Sequence, residues 1–146
     1  MIKLIVGCET LEEYAAWQAK EVMDYHGQPA VPCWTRFKAK RADEIIRSGG
    51  SLYRVLKSRI VCRQRILGFE MVDDAKVDGY GPGKKCMILQ DPEIITTVST
   101  QHRPFQGWRY LDPAKAPADR GVYVLGEDVD APPPEMEEEL RSAGLL

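Results

Sequence analysis

The alternation of apolar and polar positions predicts a short series of elements. Residues 2–6, IKLIV, are a β-branched run ended by Gly7, the pattern of a buried strand. Thr10 followed by Glu13 forms a T-x-x-E capping box. Leu11, Tyr14, Ala15, Gln18 and Val22 fall on one face, which predicts a helix over residues 10–24 packed on that strand. Residues 25–32, YHGQPAVP, read as a turn-rich connection, because Pro29 and Pro32 remove donors and Gly27 loosens the backbone. A short strand over 33–37 follows, then a helix over 40–47 ended by Gly49 and Gly50. Residues 51–57 and 59–72 are two strand-like stretches, and the segment 73–85, with Gly79, Gly81, Pro82 and Gly83, reads as a long loop. Residues 86–90 return as a buried strand. Asp91-Pro92-Glu93 is a helix-start signal, but the β-branched residues 94–98 favour extended chain after one turn at most. Residues 108–111 and 122–125 supply the last core strands. This order predicts an α+β fold: a small, mostly antiparallel sheet, curled toward a barrel, with two or three flanking helices.

The totals set bounds on this picture. A chain of 146 residues that is 44% hydrophobic and 29% charged has the size and composition of one domain with a real core. That domain is expected over residues 1–125. The remainder, 126–146, is an acidic, proline-rich tail with a short helix expected over 135–145. No apolar run approaches the roughly 20 residues that span a bilayer. The opening MIKLIVGCET is too short in its apolar stretch for a secretory signal, so a cytoplasmic address and no membrane partner are expected. Cys8, Cys33, Cys62 and Cys86 are widely spaced and read as reduced thiols, packed as small hydrophobes.

Charge changes the picture more. Residues 36–65 hold ten of the chain's twenty basic residues against only Asp43 and Glu44, a local +8 in a chain of net charge −2. A field this lopsided points to a polyanion partner. If residues 59–71 form one regular strand, Arg59, Arg63 and Arg65 share a face with Val61, Leu67 and Phe69. Guanidinium forks suit phosphate, and Trp34, Phe37 and Tyr53 lie among Lys38, Lys40, Arg41 and Arg47, as in surfaces that bind single-stranded RNA. Plain solvation, or pairing with the acidic tail, explains the same charges. Between 127 and 139 that tail carries Glu127, Asp128, Asp130, Glu135, Glu137, Glu138 and Glu139, enough to compete for a basic face or merely to solubilise the terminus.

Other motifs carry less. Residues 79–85, GYGPGKK, miss the phosphate-loop spacing and its hydroxyl residue, and read as a loop. His26 and His102 are the only histidines, and no Cys or His pair has structural-zinc spacing, so no metal and no cofactor are expected. A Cys or Ser nucleophile with His102 has no sequence signature, so no catalytic residue is assigned. The stretch 103–111, RPFQGWRYL, is the densest unusual one. Phe105 and Trp108 are anchors or stacking groups, with Arg103, Gln106 and Arg109 as donors beside them.

Taken together, TRFKAKRADEII (35–46), GGSLYRVLK (49–57), RQRILGFE (63–70), DPEII (91–95) and RPFQGWRYL (103–111) resemble an uncharacterised alphaproteobacterial family, domain of unknown function 1489. The resemblance implies a small cytoplasmic bacterial protein and no particular activity. Members tend to carry tryptophan where this chain has Arg54 and glycine where it has Ser58. At fold level alone, the short helix ended by glycines and leading into paired strands is similar to RNA-binding barrels of the PUA and ASCH type.

The sequence therefore yields a non-enzymatic candidate RNA-binding protein with a basic strand face. Lys40, Arg41, Arg54, Lys57, Arg59, Arg63 and Arg65 would meet phosphates. Trp108, Phe105 and Tyr53 would stack, and Arg103, Gln106 and Arg109 would donate. Two alternatives stay open: an enzyme acting on a nucleotide or other phosphate ester, and a module that docks an acidic protein.

Overall fold

The computed structural model of the chain describes residues 1–73 and 83–124. Most of the glycine-rich loop, and the tail with its acidic run and expected helix, lie outside the described residues. The elements in chain order are β1 (Ile2–Leu4), α1 (Leu11–Glu21), β2 (Met23–Tyr25), β3 (Gln28–Thr35), α2 (Ala42–Arg47), β4 (Ser51–Leu56), β5 (Arg59–Val72), β6 (Lys85–Gln90), β7 (Ile95–Gln101), β8 (Trp108–Arg109) and β9 (Asp119–Val122). A single 3-10 turn occupies Pro113–Lys115. The fold is α+β, as expected.

The strands pair in the order β2-β3-β6-β5-β4-β1-β8, and β7 joins β5 on a branch that ends with β9. Every pairing is antiparallel except that of β1 with β4. The curl toward a barrel is not completed. Among the described residues β2 and β8 end the sheet without meeting, so it is open.

Strand β5 organises the sheet. Its 14 residues pair with β4 through Arg65 and with β6 from Ile66 onward, while β7 lies along residues 59–63. Register shifts between Ile60 and Cys62 and between Ile66 and Gly68 break its two-residue alternation. For this reason Val61 and Phe69 are buried, whereas Arg63 and Arg65 face outward. The regular strand assumed from the sequence grouped all of them on one face.

Helix α1 starts where its capping residue predicts, with Thr10 Oγ1 accepting from the Glu13 amide at 3.1 Å. Leu11 and Tyr14 are buried against Ile5, Leu56, Val61 and Cys62. Helix α2 packs Ala42 and Ile45 over a second cluster that contains Leu52, Ile66, Phe69 and Ile88. Across the sheet, Ile2, Val55 and Ile60 form a third cluster, joined by Phe105 and Leu111. The expected helical turn at Asp91 is replaced by a side-chain turn, in which Asp91 Oδ1 accepts from the Glu93 amide at 2.9 Å.

Residues 25–32 are a hairpin rather than an irregular connection. His26 and Gly27 have φ of 51° and 84°, the paired left-handed values of a two-residue turn whose twist matches the flanking strands. Pro29 and Pro32 both lie within β3. Pro32 pairs with β6 alone, beyond the end of the β2 pairing at Ala30.

The β4–β5 turn uses the same geometry with no glycine. Lys57 and Ser58 have φ of 51° and 61°. A left-handed L-residue costs roughly 1–2 kcal/mol, so glycine at 58 relieves strain without removing a contact. Ser58→Gly is expected to raise stability by about 1 kcal/mol, a value net of the extra chain entropy of glycine in the unfolded state. An unchanged or lowered urea midpoint would contradict this.

Candidate functional site

The pairing of β1 sets the site. Its parallel register places Lys3 beside Arg54 of β4, and its antiparallel register places Lys3 beside Trp108 of β8. One row across the sheet therefore runs Trp108, Lys3, Arg54, Cys62. Facing partners in a sheet share a side, so an indole and two cations stand together.

Both cations are buried, Lys3 at 7% exposure and Arg54 at 4%. Arg54 is held by neutral acceptors. Its Nη1 donates to the Tyr14 hydroxyl at 3.1 Å, its Nη2 to the Leu4 carbonyl at 3.1 Å, and its Nε to the Lys3 carbonyl at 3.4 Å. The guanidinium also lies 5.3 Å from the Tyr14 ring centre. Arginine stays protonated in such a setting. The Lys3 ammonium forms no hydrogen bond or ion pair among the described residues. Burial, and then the Arg54 charge, pull its pKa down, while Cys33 pulls it up.

Tyr14 is the hub behind this row. Its hydroxyl donates to Gln64 Oε1 at 2.6 Å and also accepts from Gln90 Nε2 at 3.2 Å. Gln64 in turn donates to Gln18 Oε1 and to the Asp91 carbonyl. Burial pushes the phenol up to about 12, against the pull of Arg54, so it remains a neutral donor. The network joins α1, β4, β5 and β6, and it fixes the angle at which Arg54 meets the space in front of it.

That space is a cavity of about 890 Å³, within the usual range of ligand pockets. All three tryptophans of the chain, Trp17, Trp34 and Trp108, line it. Its cations are Lys3, Arg36, Arg54 and Arg109, and no Asp or Glu is among its described lining residues. Val6 and Phe37 at its mouth are 81% and 71% exposed, an apolar rim open to solvent. The Trp108 indole donates to the Phe37 carbonyl at 3.1 Å and so ties the two rim segments together. Arg109 lies 5.5 Å from the Phe105 ring centre and donates to the Gln106 and Trp108 carbonyls.

Of the residues singled out in the sequence, the cavity gathers Arg54, Phe105, Gln106, Trp108 and Arg109. Lys40, Arg41 and Arg103 are exposed on the segments that carry the rim, and Arg41 is held in a bidentate pair with Glu44 at 2.9 Å. Lys57, Arg59, Arg63 and Arg65 lie elsewhere, on the β4–β5 hairpin. Arg54 does not share their face. Opposite Arg54 in β5 is Cys62, whereas Arg63 stands opposite Tyr53 and Arg65 opposite Ser51. Arg63 makes a bidentate pair with Asp119 at 2.6 and 2.7 Å, and Arg59 is bonded to Ser99. Tyr53 packs beside Ile2, Val55 and Ile60 rather than in the cavity.

Sequence reasoning missed Lys3, Tyr14 and Trp17 as site residues, and it noticed Trp34 and Arg36 only as part of the basic, aromatic segment without assigning them to a site. Lys3 gave a legible signal, since a cation in the middle of a buried apolar run needs a reason to be there. Three of the four free cysteines are buried as expected, but Cys8 is half-exposed and borders the cavity. Among the described residues no group of His, Cys, Asp or Glu is placed to hold a metal ion. No helix among them is long and apolar enough to cross a membrane.

The site thus defines a small α+β protein with an aromatic, cation-floored cavity at the β1–β4–β8 junction. Over residues 1–146 the chain matches a family described as protein of unknown function (DUF1489), and it belongs to that family. No curated protein and no solved structure matches it.

Two outcomes follow from this geometry. Tyr14→Phe removes one donor and an acceptor shared by two groups inside a buried network, and is expected to lower stability by about 1–3 kcal/mol in urea unfolding. The Asp119 carboxyl is held below its ordinary value by hydrogen bonds from Arg63. Its stabilising contribution is therefore present above the unfolded pKa of 3.8 and is lost as pH falls through the lower folded value. Both partners are partly exposed, so Arg63→Met is expected to cost no more than about 1 kcal/mol at neutral pH. The difference from the parent protein should shrink in acid to what the Arg63 bond to Ser51 Oγ contributes.

Proposed function

We propose that the protein binds single-stranded nucleic acid, RNA in the first place, by taking one unstacked nucleotide into the tryptophan-lined cavity. The observation that carries this reading is the convergence of all three tryptophans and four cations on one cavity with no carboxylate in its described lining. A largely buried lysine whose ammonium has no described acceptor is costly to keep charged unless water in the cavity or a ligand supplies one. Flat indole faces are what unstacked bases stack on, with little regard to sequence. The chain as a whole is −2, so its positive potential is local to such sites.

In this reading the rim cations Arg36 and Arg109 meet the phosphodiester at the mouth. Lys40, Arg41 and Arg103, on the two rim segments, extend that contact along the strand. Lys57, Arg59, Arg63 and Arg65 are left for a longer strand or for solvent.

The test is tryptophan fluorescence during titration with a single-stranded RNA oligonucleotide at several salt concentrations. Quenching is expected, with log K falling linearly in log salt at about 0.7 per neutralised phosphate. The double variant Arg36→Ala, Arg109→Ala should weaken binding and flatten that slope by about 1.4. Absence of quenching, or a free mononucleotide that binds as tightly as the strand, would refute strand binding. The second result would mark a small-molecule site instead.

A further inference from the structure

The chain path of a nucleic acid decides which part of a nucleotide reaches the cavity floor. An internal nucleotide has a phosphodiester on each side, and both must leave through the mouth. The charged backbone therefore stays with the rim cations, and only the base reaches Lys3 and Arg54. This argument rests on the strand-binding reading above.

The floor offers donors and no carboxylate. Lysine brings three N–H groups and no acceptor, and arginine brings five. Arg54 directs three of its own to the Tyr14 hydroxyl and the carbonyls of Lys3 and Leu4. The Lys3 ammonium directs none of its three to any described residue. It is more than nine-tenths buried, stands beside Trp108 in the sheet register and lines the cavity. A base entering edge-first along the Trp108 face thus meets an unpaired ammonium.

We infer that the cavity selects keto bases, those with an oxygen at position 4 of a pyrimidine or position 6 of a purine, and rejects their amino counterparts. A carbonyl oxygen accepts from Lys3 Nζ. The exocyclic amino group of cytosine or adenine would set N–H against N–H, and once the base has displaced the water in front of Lys3 only the neighbouring ring nitrogen, away from the position of the keto oxygen, is left to accept. Discrimination of this kind is largest where the protein group is buried and preorganised, because an unmade hydrogen bond there is not replaced by solvent.

The experiment uses the full chain and oligonucleotides of abasic residues with a single central base, read by tryptophan fluorescence. Two near-isosteric pairs exchange the keto oxygen for an amino group, and with it the adjacent ring N–H for a bare ring nitrogen: uracil against cytosine and hypoxanthine against adenine. The keto member of each pair should bind on the order of tenfold more tightly. In Lys3→Gln, whose amide both donates and accepts, that ratio should fall toward one while the salt dependence persists. The base comparison is made on the unaltered protein, so it stands even if the variant does not fold. Equal binding of all four oligonucleotides with a steep salt slope would overturn the inference and leave strand binding intact. A preference for cytosine and adenine would do the same. Failure of every oligonucleotide to bind would remove both.

Discussion

A buried guanidinium held only by neutral groups is the constraint around which the molecule is arranged. Arg54 is almost wholly removed from water, and its described partners are a phenol, two main-chain carbonyls of β1 and the Cys33 thiol. Those carbonyls are available because β1 runs parallel to β4, the one parallel pairing in the sheet. The phenol is available because α1 presents Tyr14 to the same point, and three glutamines hold it there through a chain of hydrogen bonds. A charge desolvated in this way is tolerated only when its donors are satisfied. The strand, the helix and the network are thus mutually required.

The cavity is a consequence of that arrangement rather than an addition to it. Strand β1 is three residues long, and β8, which covers its outer edge, is two. Short strands leave the sheet incomplete on that side. The rim segments on either side of Trp108 and Phe37 fill the perimeter without closing the front. The floor is rigid because it belongs to the sheet, and the mouth is formed by side chains at the ends of loops.

Much of the architecture was legible in the sequence. The capping box located α1, the glycine pair located the end of α2, and the β-branched runs located the long strands. The hairpin at His26 and Gly27 was hidden because its first left-handed position is held by histidine, and the prolines beside it mimic a loop. The face of β5 was misjudged because a bulge shifts the alternation, and nothing in the local residue pattern announces one. For the site, RPFQGWRYL stood out and does supply part of the cavity. Its deeper half comes from Lys3 and Arg54, which are 51 residues apart and meet only through the β1–β4 register. Charge density along the chain favoured the exposed arginines of β5. Spatial convergence favours the single arginine on the opposite face.

Strand β5 has a bearing on how the chain comes apart. It is the one strand shared by the β4–β1–β8 side of the sheet, by the β6–β3–β2 side and by the β7–β9 branch, and it contributes to all three apolar clusters. Neither side keeps a complete core once β5 leaves. Loss of order on this scaffold should therefore be cooperative, with no sub-assembly of strands surviving as a folded intermediate.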